Sequence, residues 1–197
     1  MKKNDLESRL IEIGYPGLFM YGEQSLADSI WENGENVEQL KGIIFSDSSP
    51  SHAKFLAAEV LRYFDVELDI KSYKTLADAY AHALEHTSAD RGNSAQLNGN
   101  LWGLLYDEND TGYLGKQFIK FDIAAISPLT KLLDDRASRI LYEGSQEATI
   151  GNAYQYRIKD FAAFYISKIK DIPIRFYQDF KARDKEIERL KGLLKKE

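Results

Sequence analysis

The apolar positions of this chain recur every three and four residues almost from its start, the period of a helix with one buried face. Leu6, Leu10 and Ile13 set the first stripe, over about residues 4 to 13, and Gly14 and Pro16 predict where it stops. A short helix follows over about Ser25 to Asn33, with Ser25 as N-cap and Gly34 closing it. Asn36 stands where the next cap belongs, and Leu40, Ile43 and Ile44 form a stripe that Ser46 to Pro50 breaks. Ser51 then caps a helix to about Phe64. Its Phe55, Leu56, Ala57, Ala58, Val60 and Leu61 leave so little polar surface that packing on more than one side is expected.

The middle of the chain predicts a helix over about Ser72 to His86, a polar stretch from Thr87 to Asn100 and a short apolar segment from Leu101 to Tyr106. A loop from Asp107 to Gly112 and a helix over about Tyr113 to Phe121 come next. Near the end, Phe176, Phe180, Ile187, Leu190 and Leu194 mark a helix over about 175–195, which should dock on the body or pair with a second copy of itself. Arg183 interrupts that stripe, which argues against a long coiled coil.

Two stretches share a register. Lys54 is followed by Ala57, Ala58 and Leu61, and Lys159 by Ala162, Ala163 and Ile166. Leu40, Ile43 and Ile44 precede the first as Leu129, Leu132 and Leu133 precede the second, with Asp134 and Asp135 forming a turn. Leu40 to Lys54 is 14 steps and Leu129 to Lys159 is 30, so the second unit carries 16 extra residues, within about Ala137 to Asn152. Part of this insertion, Arg139 to Tyr142 with Ala148 to Ile150, has the composition of a small β-hairpin.

This pattern resembles the HEAT repeat family over about residues 36–64 and 124–169. The resemblance implies an all-α fold in which helical hairpins stack into an α-α superhelix, and a scaffold that binds other macromolecules. The chain departs from the family in carrying Lys54 and Lys159 where Arg is usual, and in showing two units where about three make a stable stack.

Composition narrows the function classes. A chain of 197 residues with 44% hydrophobic content suits one core and a single domain over 1–197. Lys and Arg number 26 against 31 Asp and Glu, a net charge of -5, which argues against a nucleic-acid partner. The stretch from Lys181 to Glu197 is rich in Lys and Arg but alternates them with acids, as a solvated helix face does. With no cysteine there is no disulfide framework, thiol nucleophile or cysteine-held metal. Asn4, Asp5, Glu7 and Arg9 stand where a signal peptide needs apolar residues, so a cytoplasmic location is the default, although a leader removed beforehand would leave no trace. No run approaches the roughly 20 apolar residues that span a bilayer, so a soluble chain without a transmembrane segment is expected.

The sharpest motif is His82-Ala83-Leu84-Glu85-His86, the H-x-x-E-H arrangement in which two imidazoles on adjacent turns bind zinc and a carboxylate activates water. On a helical wheel from Tyr73, His82 and His86 fall near 180° and 220°, opposite the apolar face. Closing a metal site there needs a third ligand, for which Glu143, Glu147 and Asp160 are candidates, so a metal-dependent hydrolase is the alternative reading. Asp107-x-Asn109-x-Thr111-Gly112 has the start of a calcium loop, but Phe118 occupies its twelfth position, where a bidentate Glu is required. No cofactor is expected.

The favoured reading is a non-enzymatic binding or scaffold protein that meets a protein partner through a helical surface and the inserted loop 137–156. An inhibitor or immunity-type role fits the same composition. The binding candidates are Tyr142, Glu143, Gln146, Glu147, Asn152, Tyr154 and Tyr156, because phenol rings give large contact area with a hydrogen-bonding tip. The competing expectation is that Tyr154 and Tyr156 begin the next helix and pack beneath the loop.

Overall fold

The computed structural model describes residues 5–20, 26–87, 97–107, 110–135 and 139–196. Helices make up the regular secondary structure of the described residues, which contain no strand. None of their helices is long and apolar enough to cross a membrane. The elements are α1 (Asp5–Phe19), α2 (Ala27–Trp31), α3 (Val37–Phe45), α4 (Ser51–Tyr63), α5 (Tyr73–Glu85), α6 (Gly99–Trp102), α7 (Lys116–Phe121), α8 (Ile123–Leu132), α9 (Gln146–Tyr154), α10 (Ile158–Lys170) and α11 (Phe180–Leu194).

Most elements sit where apolar periodicity put them, and the differences are at the ends. α1 does not stop at Gly14: the backbone kinks there at φ 66 and resumes, because Tyr15 and Leu18 beyond the kink are buried. Ser25, the expected cap of α2, lies outside the described residues. Asn36 uses its amide to donate to the Ile30 carbonyl at 2.7 Å, tying α2 to the head of α3, and its side chain makes no cap bond. Ser51 is the first residue of α4 and not its cap, which is Pro50.

α4 and α10 are the central helices, and their shared register accompanies burial on most sides. In α4 every residue from Phe55 to Leu61 is buried, and in α10 every residue from Asp160 to Ser167. α4 packs on α1, α3 and α5, and α10 on α7, α8 and α11. The paired alanines, Ala57-Ala58 and Ala162-Ala163, let the neighbouring helices approach closely. Each Leu, Phe or Val withdrawn from water here contributes roughly 1.5–3 kcal/mol.

α5 lies between α4 and α8 and joins the two halves. It runs antiparallel to α4, since Tyr80 in its middle donates to Glu59 and its C-terminal His86 comes to His52 in the first turn of α4. It runs parallel to α8, with Tyr73 against Phe121 at 5.4 Å at one end and His82 and Glu85 beside Lys131 and Leu132 at the other. α7 fills the space between α5 and α10. One apolar core extends from Leu6 on α1 to Leu190 on α11.

The inserted segment is not a β-hairpin. Ala148 to Ile150 lie inside α9, and residues 139–142 pair instead with the start of α10, through an isolated bridge between Arg139 and Arg157 and a 2.9 Å bond from the Ile140 N–H to the Tyr156 carbonyl. The physical reason is Gly151, which as a helical residue lays its bare backbone against the Tyr142 ring. A Cβ at Gly151 would come within 2.4 Å of that ring, and one at Gly99 on its other side within 2.8 Å.

Arg183 interrupts the α11 stripe as a side chain that is itself buried. Its Nη1 donates to Asp160 at 2.7 Å and its Nη2 to the Tyr154 carbonyl at 2.6 Å, and both ionic side chains are 0% exposed. Asp160 also accepts from the N–H, Nε and Nη2 of Arg157. Burial lowers the pKa of Arg183 and the Asp160 charge opposes that shift. Ile187 and Leu190 complete the docking face of α11, while Asp179 caps it by accepting from the Ala182 N–H at 2.8 Å.

Removing Arg183 leaves a buried carboxylate with Arg157 alone. Arg183→Ala is therefore expected to cost about 3 kcal/mol, read from the urea midpoint. In a double-mutant cycle with Asp160→Asn, strongly non-additive losses are expected; additive ones would mean that Arg183 contributes only packing.

Candidate functional site

The segment 139–157 is built around two inward tyrosines. Tyr142 is 3% exposed; its hydroxyl donates to the Gly103 carbonyl at 2.8 Å, and Gly99 and Gly151 flank its ring. Asn152 clasps the Tyr142 backbone, accepting from its N–H at 2.8 Å and donating to its carbonyl at 3.0 Å. Asn100 makes the same double contact with the backbone of Glu143, at 2.9 and 3.0 Å. Two side-chain amides thus hold consecutive residues, so this connection is fixed although it has no regular structure before α9.

Tyr156 is fully buried, its ring 5.2 Å from the guanidinium carbon of Arg183, and its hydroxyl has no hydrogen-bond partner. Together with Tyr106 and Tyr154 these rings close a circuit: Tyr106 to Tyr142 6.4 Å, Tyr142 to Tyr156 6.2 Å, Tyr156 to Tyr154 5.1 Å and Tyr154 to Tyr106 6.5 Å. Burial pushes the Tyr142 and Tyr156 phenols far up, so both are neutral across the physiological range. The Tyr106 phenol is raised too, first by burial and then by the charges of Glu147, Asp110 and Asp107.

The seven residues proposed from the sequence therefore divide. Tyr142 and Tyr156 are interior and Asn152 is occupied in a clasp. Glu143 and Gln146 are exposed, and Glu147 and Tyr154 are half-buried at the rim. The expectation that Tyr154 and Tyr156 begin the next helix and pack beneath the loop holds only for the burial of Tyr156: Tyr154 ends α9 and is half-buried, and Tyr156 precedes α10. Tyr106 joins the site without any linear signal, since it stands 36 positions before Tyr142 in an apolar segment.

A second concave feature is a cleft of about 500 Å³ where the head of α4 meets α5 and α8, lined by Lys54, Asp78, His82, Glu85 and Lys131 among others. His82 and His86 turn towards each other, with their Nδ1 atoms 2.8 Å apart, and His86 Nδ1 also lies 2.8 Å from the His82 carbonyl. At that separation one ring nitrogen donates to the other. The donor set does not fit a catalytic metal: among the described residues no three His, Asp or Glu side chains converge. The suggested third ligands are placed elsewhere, Asp160 in its arginine cluster and Glu143 and Glu147 on the inserted segment.

The remaining motifs resolve into structure. Asn109 lies outside the described residues; Asp110 accepts from the Gly112 N–H at 2.8 Å, as in a polar turn, and Phe118 is a core ring. Asp134 pairs with Lys191 at 2.6 Å, linking the turn after α8 to α11, and the Asp135 N–H donates to Leu132. Comparison with protein-family models, curated proteins and solved structures finds no match for the chain.

Because Tyr142 fills a closed space, Tyr142→Ala is expected to lose about 3–5 kcal/mol, and Tyr142→Phe about 1 kcal/mol, both measured by urea unfolding. An unchanged melting temperature in the alanine variant would contradict this placement.

His52 and His82 supply a pH dependence. Burial and the nearby His86 lower both pKa values from the ordinary 6.5. The unfolded chain then binds protons more readily than the folded one, so stability is complete above about pH 6.5 and declines as the pH falls towards the lowered folded values. The urea midpoint should be lower at about pH 5 than at about pH 7.5, and the double variant His52→Gln/His82→Gln should flatten that difference. An equal difference in the variant would assign it to other groups.

Proposed function

We propose that the protein is a non-enzymatic binding protein, a HEAT-like stack of helix pairs that presents the segment 139–157 to a protein partner. The observation that carries the reading is the double amide clasp, Asn152 on Tyr142 and Asn100 on Glu143. It holds an irregular surface segment in one conformation, so binding by it costs little ordering entropy. Support for the stack comes from the order of contacts. In this reading α3–α4 and α8–α10 flank α5–α7, and the middle pair, which lacks the repeat's sequence pattern, would stand as a third unit. The net charge of -5 favours a protein over a nucleic acid.

A photo-crosslinking residue placed singly at Gln146, Thr149 or Gln155, all exposed, tests this in the native cells. A discrete adduct from these positions and none from Ile70, which is exposed on another element, is the expected result. Absence of an adduct at all three, with the protein folded and expressed, would overturn the proposal.

A further inference from the structure

α6 and the residues flanking it hold the start of the inserted segment. The Gly99 N–H donates to the Leu141 carbonyl at 2.8 Å, Asn100 clasps the backbone of Glu143, the Asn98 amide reaches the Glu143 carboxylate at 3.0 Å, and the Gly103 carbonyl accepts from the Tyr142 hydroxyl. On its other side α6 is tied to the end of α5. The indole Nε1 of the fully buried Trp102 donates to Thr87 Oγ1 at 2.9 Å, and that hydroxyl donates to the Ala83 carbonyl at 2.9 Å. Thr87 directly follows His86, so an unbroken chain of contacts joins the last turn of α5 to Glu143.

All three histidines of the chain meet at that turn. The His82 and His86 ring centres lie 4.0 Å apart, and His52, in the first turn of α4, acts on both electrostatically. A carbonyl can only accept, so the 2.8 Å approach of His86 Nδ1 to the His82 carbonyl places a proton on that nitrogen, and His82 Nδ1, 2.8 Å from it, is the acceptor. A proton added to His86 goes to its Nε2 and keeps this contact. A proton added to His82 goes to Nδ1 and sets two N–H groups against each other, so one ring must swing away and the helix end loses a bond.

Among the described residues, the charges around the cluster are mixed. Lys54 and the positive end of α4 face it from one side and Lys131 of α8 from the other, while α5 itself supplies Asp78 and Glu85. α6 brings no charged side chain, and α7 meets α5 farther down, through Phe118 and Phe121 on Tyr80 and Tyr73. Burial, and after it the charge of His86, hold the pKa of His82 below the ordinary 6.5, with Glu85 opposing. The closed arrangement therefore disfavours the proton. It is complete above about pH 6.5 and yields as the pH falls through the lowered value.

Resting on the binding reading above, we infer that the histidine cluster is an acid-sensitive latch on the segment 139–157: a proton at His82 Nδ1 frees the last turn of α5, the Thr87–Trp102 bond goes with it, and the α6 contacts that hold Leu141 to Glu143 loosen. The segment is set for its partner at neutral pH and released in acid, before the rest of the fold gives way.

Amide exchange in the full chain, followed by NMR and corrected for the intrinsic effect of pH, tests the latch. Between about pH 7.5 and about pH 5.5, protection of the Glu143 amide and of the Trp102 indole N–H is expected to fall at least about fivefold more than that of the Leu61 amide in α4. His82→Gln should abolish this extra fall. Thr87→Val, which leaves the histidines in place, should make Glu143 protection independent of pH. A fall at Glu143 no larger than at Leu61, or an equal response in His82→Gln, would overturn the inference. Crosslinking from Gln146 and Gln155 in permeabilised cells held at each pH separates this from the binding reading. Adduct yield should drop about fivefold or more in acid and persist in His82→Gln. Equal yields at both pH values would overturn the inference and leave the binding reading standing, whereas release at Glu143 with no adduct at either pH would overturn the binding reading and leave the latch.

Discussion

A single buried carboxylate fixes the arrangement on which the candidate site depends. Asp160 accepts from the Arg157 backbone and side chain and from Arg183, and Arg183 in turn donates to the Tyr154 carbonyl at the end of α9. One guanidinium thereby joins α9, α10 and α11, and its cation lies against the ring of Tyr156. Taking these charges out of water costs several kcal/mol per ion, which good hydrogen-bond geometry only offsets. What the network supplies is specificity of placement: α11 could slide on an apolar stripe, but with Arg183 in register only one docking position satisfies Asp160.

The same logic recurs at Glu59, buried between α4 and α5, where Arg62 and Tyr80 donate to it and the Arg62 guanidinium lies 3.6 Å from the centre of the Tyr113 ring. Both buried acids sit on the two central helices, whose surroundings are otherwise apolar.

The helices were legible because long apolar stripes at three and four residues report burial directly; α4, α5, α8 and α10 need nothing else. The shared Lys-x-x-Ala-Ala register falls on the two helices that are buried along their middle turns. What failed was anything decided by a contact distant in sequence. Tyr142 looks like a surface phenol until Gly99, 43 positions earlier, and Gly151 are known to enclose it. Ala148 to Ile150 look like a strand until Gly151 is seen to require close approach of a helix. Arg183 reads as an interruption because its partner, Asp160, lies 23 positions earlier on another helix. In the site, the acidic residues could be proposed from composition, whereas Tyr106 could not.

Anchoring and display alternate within the inserted segment on the scale of one residue. Tyr142 points inward and Glu143 outward; Tyr156 is interior, Gln155 exposed and Tyr154 between them. Such alternation separates the energetics of two tasks that share one stretch of chain. The inward side chains hold the segment through glycine contacts, amide clasps and the Arg183 cation, so the outward ones can change charge or shape without altering the packing beneath them. A surface organised in this way can change its outward residues at little cost in stability. Among the described residues the Tyr156 hydroxyl and the Arg183 Nε are exceptions, interior atoms without a hydrogen-bond partner.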